Sequence, residues 1–110
     1  MWICLSDAFL SIVSKDCPPN SLLVRARRAG DIERVFGTHV IITRSTDSDY
    51  LYRATIETAE VAEAIDREIC TIDYGNFKDS VRDPDLHDAY MKIWEAMAKV
   101  QHPRPYSGGK

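Results

Sequence analysis

The chain has 110 residues, of which 45% are hydrophobic and 28% charged, and these are ordinary values for one globular domain. No apolar run approaches the roughly 18–20 residues of a membrane-spanning helix, and the apolar first residues lack the basic start of a signal peptide. The net charge of −3 disfavours direct binding of nucleic acid. Three widely spaced cysteines without a C-x-x-C pair indicate reduced thiols in a cytoplasm, and they predict neither a metal site nor another cofactor.

The first 28 residues are predicted to form three strands. Residues 2–5 and 9–13 are rich in β formers and flank a short polar turn, which predicts a β-hairpin. Leu22–Arg28 then alternates, and its arginines point to the opposite face from its small apolar residues.

A short helix and a second hairpin are predicted next. Asp31 is the predicted N-cap of a helix over Ile32–Phe36, and Gly37 ends it. Val40–Arg44 and Tyr50–Ile56 are rich in β-branched and aromatic residues, and a polar turn joins them. These two strands are therefore expected to pair.

A longer amphipathic helix is predicted over Ala59–Cys70, with Thr58 as its cap. Acidic side chains fill the side of this helix that faces water. The stripe predicted to face the core consists of Val61, Ile65, Ile69 and Ile72.

The last predicted helix starts at Asp83, an N-cap, and Pro84, which suits the first helical position. Residues 1–101 are predicted to form one domain and residues 102–110, rich in proline and glycine, a flexible tail. The apolar stripe of the helix consists of Leu86, Tyr90, Ile93, Trp94, Met97 and Val100.

These elements predict an α+β fold with an antiparallel or mixed sheet of four to five strands. The β-α-β-β-α order of the middle of the chain is that of a ferredoxin-like unit, which places its helices on one face of the sheet. The final amphipathic helix is an addition to this unit.

Three arginines are candidates for binding nucleic acid on the other face of the sheet: Arg25, Arg27 and Arg53. Tyr50 and Tyr52 are expected to share the opposite face with Ala54 and Ile56, so they would not supply stacking rings beside the arginines. Together with the negative net charge, this makes nucleic-acid binding an alternative to the main hypothesis.

Two other groups of residues are candidates for binding a partner protein. Residues 57–73 hold six acidic residues against one basic residue, Arg67, and such a surface attracts basic partners. The segment Asp73–Arg82 is predicted to be a loop that brings aromatic and polar side chains together. The candidate residues are Glu60, Glu63 and Asp66 in the acidic segment and Tyr74, Asn76, Phe77, Lys78, Asp79 and His87 in and near the loop.

A small enzyme or ligand-binding protein is a further alternative, with a pocket near Tyr74–Asp79 and His87. A catalytic histidine would need an activated partner nearby. The chain contains no glycine-rich phosphate loop and no nucleophile elbow, so no catalytic residue is assigned.

Several segments resemble a family of small bacterial proteins without an assigned activity. The resemblance extends to about Gln101 and implies a bacterial, cytoplasmic, single-domain protein with no catalytic residue to transfer. The residues that carry it are Trp2, the FLSIV run at 9–13, LVRAR at 23–27 with Asp31, DYLYRA at 49–54, YGNFK at 74–78, and HDAY at 87–90 leading to Trp94.

The leading hypothesis is therefore a non-catalytic protein-binding module without a cofactor. Its most specific version is an inhibitor from a phage or mobile element, such as an anti-CRISPR protein that covers a basic nucleic-acid-binding surface. Self-association of the chain stays open as a further alternative.

Overall fold

The computed structural model describes residues 1–106 of the chain. It divides into two compact units, Met1–Asp73 and the segment from Tyr74 onward. The last four residues of the predicted tail, 107–110, lie outside the described residues, and the predicted domain boundary at 101 stays a prediction. The first unit contains β1 (Trp2–Cys4), β2 (Phe9–Val13), β3 (Ser21–Ala26), α1 (Asp31–Phe36), β4 (Thr43–Arg44), β5 (Tyr52–Glu57) and α2 (Thr58–Cys70), and the second contains α3 (Phe77–Ser80) and α4 (Pro84–Ala98).

The first unit is built on a five-stranded antiparallel sheet with the order β1-β2-β3-β5-β4. The α+β class is thus confirmed, and so is the ferredoxin-like middle, because β5 lies between β3 and β4 and α1 connects those two strands. Strand β2 pairs with the free side of β3. It takes the place that the last strand of a complete ferredoxin-like unit would occupy, although it precedes β3 in the chain.

The strand register assigns every residue of the sheet to one of two faces. Ile12, Val24 and Ala54 lie directly opposite one another across β2, β3 and β5. Helices α1 and α2 contact the strands on this face, which we call the helix face. The hydrophobic core lies here, and Leu10 and Ile32 are fully buried in it. Burial of each such side chain contributes about 1.5–3 kcal/mol.

The other face carries a row of polar residues. Ser11, Arg25 and Arg53 lie directly opposite one another, with Trp2 beside Ser11 and Thr43 beside Arg53. We call this the arginine face. The row crosses all five strands, so the alternation in the sequence and the strand register together place these side chains side by side.

Helix α1 begins one residue earlier than predicted, and its N-cap is Gly30 rather than Asp31. Gly30 has a φ of 92°, a left-handed conformation that a residue without a Cβ adopts readily. Asp31 is buried at the first helical position, where its carboxylate accepts a hydrogen bond from the backbone N–H of Phe9 at 3.1 Å. The carboxylate therefore ties α1 to the start of β2.

Helix α2 covers the predicted span but leaves much of its apolar stripe uncovered. Val61 and Ala64 are buried and Ile65 is half-buried, whereas Ile69 and Ile72 are 62% and 52% exposed. Thr58 is not a cap, because Glu57 occupies the N-cap position without a side-chain hydrogen bond. The prediction of a fully core-facing stripe is thus wrong for the last turn of this helix and the residue beyond it.

The second unit consists of two consecutive helices. The segment predicted to be a loop contains the one-turn helix α3, which begins after Asn76 because the Asn76 side chain accepts a hydrogen bond from the Asp79 N–H at 3.3 Å. Helix α4 begins as predicted, with the Asp83 carboxylate accepting from the Leu86 N–H at 3.0 Å. Leu86 and Tyr90 of its stripe are buried, and the rest from Ile93 onward is exposed.

Candidate functional site

Two surfaces of the first unit combine unusual side chains, and the first is the arginine face. The Arg25 and Arg27 guanidinium carbons lie 4.5 and 4.2 Å from the centre of the Tyr50 ring, so both cations stack on it. Arg25 also donates to the Ser11 hydroxyl at 2.7 Å, and Arg27 donates to the Asp49 backbone carbonyl at 2.8 Å. Tyr50 thus lies beside the arginines, and the expectation that it shares a face with Ala54 is wrong.

The reason is that Tyr50 precedes strand β5, which begins at Tyr52. Alternation therefore does not extend back to residue 50, and the ring is free to reach the arginine face. Tyr52 behaves as predicted, because it lies opposite Ala26 and packs against the core.

The Arg53 side chain has neither a hydrogen bond nor an ion pair within residues 1–106. It lies directly opposite Arg25, and the Nε atoms of both side chains are buried without an acceptor in that part of the chain. Arg25 and Arg27 likewise have no carboxylate within 4.0 Å among the described residues. In the described part of the chain, three guanidinium groups thus share one surface without a carboxylate within 4.0 Å, and such a surface can bind an anion.

Two further ionisable residues alternate onto this face, the exposed Glu57 at the end of β5 and Cys4 at the β1 edge. The half-buried thiol of Cys4 lies opposite Phe9, and burial raises its pKa. A thiol with a raised pKa is a weak nucleophile at neutral pH, so Cys4 is a structural residue.

The second surface is an apolar groove on the helix side of the first unit. Its volume is about 490 Å³, within the range of roughly 300–1,000 Å³ that is usual for ligand-binding clefts. Helix α2 forms one wall of the groove along most of its length, from Thr58 to Ile69. The groove is lined by Met1, Ile12, Val13, Ser14, Leu22, Thr58, Val61, Ala62, Ile65, Asp66 and Ile69.

The start of the chain helps to build this groove. The Met1 amino group donates to the Ile12 carbonyl at 2.8 Å, and the Ile12 N–H donates back to the Met1 carbonyl at 2.8 Å. These two bonds hold the Met1 side chain at the groove. Neither periodicity nor composition predicts this contact, since it joins residues 11 positions apart through backbone atoms.

The predicted acidic surface is largely paired within the first unit. Glu60 lies 2.7 Å from the His39 ring, and Glu63 pairs with Arg67 at 3.0 Å. Asp66 lines the groove, and its one contact among the described side chains is the Cys70 thiol at 4.0 Å. Of the three predicted acidic candidates, Asp66 is thus the one that has no cationic partner within residues 1–106.

Arg34 joins helix α1 to helix α2 and to the β1–β2 turn. Its guanidinium donates to both Glu68 carboxylate oxygens, at 2.9 and 3.0 Å, and to Asp7 at 2.6 Å. The hydrogen bonds to Glu68 and then Asp7 raise the pKa of Arg34 further above its already high value. Glu68 therefore has a structural role and does not add to the acidic surface.

In the second unit, the predicted partner-binding residues contact one another and helix α4. The Phe77 ring lies 5.7 Å from Tyr74 and 5.4 Å from Tyr90, and the Lys78 ammonium lies 4.5 Å from the Trp94 ring. These contacts are those of a small aromatic cluster that closes the α3–α4 corner. Of the other predicted residues, Asn76 caps α3, Asp79 is exposed, and His87 is half-buried on α4.

Within residues 1–106, no group of three or more histidine, cysteine or acidic side chains is placed to hold a metal ion. In the same range, no helix has the length and apolar character needed to cross a membrane. Comparison with protein-family models, curated proteins and solved structures finds no match to this chain. The resemblance to a family of small bacterial proteins accordingly stays a prediction, and function has to be argued from the two surfaces.

Proposed function

We propose that this protein is a non-catalytic protein-binding module whose groove receives an apolar segment of a partner protein. The observation that carries the proposal is the open apolar groove beside α2. Ile69 and Met1 line it and are 62% and 76% exposed, so two large apolar side chains remain in contact with water. Exposed apolar surface that is gathered in one concave site is typical of interaction sites.

The charge around the groove indicates which kind of segment fits. Asp66 lies in the wall without a cationic partner among the described residues, whereas Glu63, one turn earlier, is paired with Arg67. A segment with apolar residues at helical spacing and with lysine or arginine on its flanks would fill the groove and pair with Asp66. The proposed occupant is thus a basic amphipathic helix of another protein.

This proposal includes the finer predictions made from the sequence. A basic amphipathic helix is a common part of nucleic-acid-binding proteins, so a cytoplasmic inhibitor of such a protein, for instance an anti-CRISPR protein in a bacterium, is the most specific form of the proposal. Glu60 and Glu63 are paired within the chain. The proposed binding site is therefore the groove and not the acidic surface.

A defined peptide tests the proposal. The probe is a fluorescently labelled 14-residue leucine–lysine peptide of helical periodicity, titrated with the protein and with Ile69→Glu. We expect binding that weakens at high salt and falls at least tenfold in Ile69→Glu, because a buried carboxylate would enter the groove. Ile41→Glu is the matched control, since Ile41 is an exposed isoleucine, at 86%, that does not line the groove.

Other occupants give different results. A leucine–glutamate peptide that binds as well as the leucine–lysine peptide would contradict the role of Asp66, and so would unchanged binding by Asp66→Asn. Sedimentation that shows a dimer which Ile69→Glu dissociates would identify a second copy of this chain as the occupant and overturn the proposal. Equal loss of peptide binding in Ile69→Glu and Ile41→Glu would also reject the groove.

A further inference from the structure

We infer that the arginine face binds a phosphate-bearing anion through Arg25, Arg27 and Arg53. This inference is independent of the proposed function, because the arginine face and the groove share none of these residues. The ligand class is defined by its phosphoryl oxygens, and free phosphates, nucleotides and the backbone of a nucleic acid all supply them.

The arginine face carries positive charge that no carboxylate within 4.0 Å neutralises in residues 1–106. Like charges directly opposite each other on neighbouring strands destabilise a sheet, and Arg25 and Arg53 occupy such positions in β3 and β5. Arg27 adds a third guanidinium on the same Tyr50 ring as Arg25. With no carboxylate within 4.0 Å among the described residues, the positive charge is left for an external anion to compensate.

The same face also supplies unused hydrogen-bond donors. The Nε atoms of Arg25 and Arg53 are buried and have no acceptor within residues 1–106. An unsatisfied buried donor is unfavourable, and a bound ion that accepts from the donor removes this cost. Both side chains are half-buried, and arginine presents parallel N–H donors that match a multidentate oxygen ligand such as phosphate.

The burial of the Tyr50 ring favours recognition of phosphate over recognition of bases. Proteins that read bases stack them on open aromatic rings. Tyr50 is buried, at 3% exposure, and two guanidinium groups already lie against its ring. The ring therefore holds the arginines in place and offers no surface for a base, so the contacts of this face are those of phosphate binding.

Calorimetric titration with pyrophosphate at low salt tests the inference. We expect binding that falls at least tenfold in Arg53→Met and several-fold in Arg53→Lys, because lysine keeps the charge but loses the planar pair of donors. Arg44→Met is the matched control, since it removes the same charge from an exposed position on β4 whose register partner, Tyr52, belongs to the helix face. This control should bind within twofold of the unmutated chain.

Parallel titrations with other phosphate compounds identify the source of the phosphate. They also provide the outcomes that would overturn the inference. Inorganic phosphate and a 12-nucleotide single-stranded RNA are titrated alongside pyrophosphate, and tight salt-dependent binding of the RNA would identify a nucleic-acid backbone as the source. Equal weakening by Arg44→Met and Arg53→Met would show general charge attraction and reject the site. Failure of all three probes, or binding of citrate without binding of any phosphate, would reject it as well.

Discussion

The two faces of the sheet in the first unit differ in polarity, although the same strands supply both. On the helix face, Leu10, Val24 and Ile32 pack into a core from which water is excluded. On the arginine face, Ser11, Arg25 and Arg53 form a polar row with buried donors that lack acceptors in residues 1–106. The helix face is thus built for stability except at its groove, whereas the arginine face retains charges that a purely structural sheet would not need.

The largest expected effect contrasts the interior of the helix face with its groove. Leu10→Ala should lower the free energy of unfolding by roughly 2–5 kcal/mol, because Leu10 is fully buried and its truncation leaves a cavity. Ile69→Ala should change it by less than about 0.5 kcal/mol, since that side chain is largely exposed. Urea unfolding measures both, and a loss above about 2 kcal/mol in Ile69→Ala would show that the groove is closed core.

The next largest effect is a difference in stability between substitutions of two neighbouring arginines, Arg25 and Arg53. Arg25→Met should lower the free energy of unfolding by about 1–2 kcal/mol, because the buried Ser11 hydroxyl loses its partner and the stacking on Tyr50 is lost. Arg53→Met should raise it by about 0.5 kcal/mol, since like-charge repulsion and an unsatisfied donor disappear.

Chemical denaturation of the two variants side by side makes this measurement. An equal loss of stability in both would mean that Arg53 has a structural role like that of Arg25. In that case Arg53 would stabilise the sheet by itself, and no bound anion would be needed to account for it.

The smallest effect concerns Cys4 on the arginine face. Burial raises its pKa above the ordinary 9.0, so this thiol ionises at a lower pH in the unfolded chain than in the folded chain. The contribution of the neutral thiol is therefore fully present below about pH 9 and is lost as the pH rises through the higher folded-state pKa.

Unfolding measured from about pH 7 to about pH 10.5 should thus show a steeper loss of stability at alkaline pH in the unmutated chain than in Cys4→Ser. Iodoacetamide at about pH 8 should modify the exposed Cys70 before Cys4. Modification of Cys4 first would contradict the raised pKa.

Much of the fold follows from local pattern. A run of β formers predicts the strand at residues 9–13 and alternation predicts the one around 22–26, and the i, i+3, i+4 spacing of Ile32, Val35 and Phe36 predicts a stripe that is indeed buried. The start of α4 is also predictable, because an aspartate N-cap followed by proline satisfies local backbone requirements. Asn76, three residues before Asp79, is a comparable cap signal for α3, and it is the feature that the prediction of a loop overlooks.

The candidate sites are less predictable. Alternation identifies the three arginines, but their stacking on Tyr50 depends on where β5 begins, and strand ends are poorly encoded by local sequence. The groove does not follow from any local pattern, because it needs Met1, Leu22 and Ile69 to come together from distant parts of the chain. An apolar stripe looks the same in sequence whether another element covers it or leaves it open.

The sequence by itself determined the order of the elements other than α3, the α+β class and the faces of the residues within the strands, because these depend on backbone preferences and on periods of 2 and 3.6 residues. Tertiary structure decided which ends of the apolar stripes stay exposed, which acidic residues find partners and which arginines do not. These outcomes depend on distances between residues far apart in the chain, such as Arg34 with Glu68 or Arg25 with Arg53. Both candidate surfaces, the groove and the arginine face, arise from contacts of this second kind.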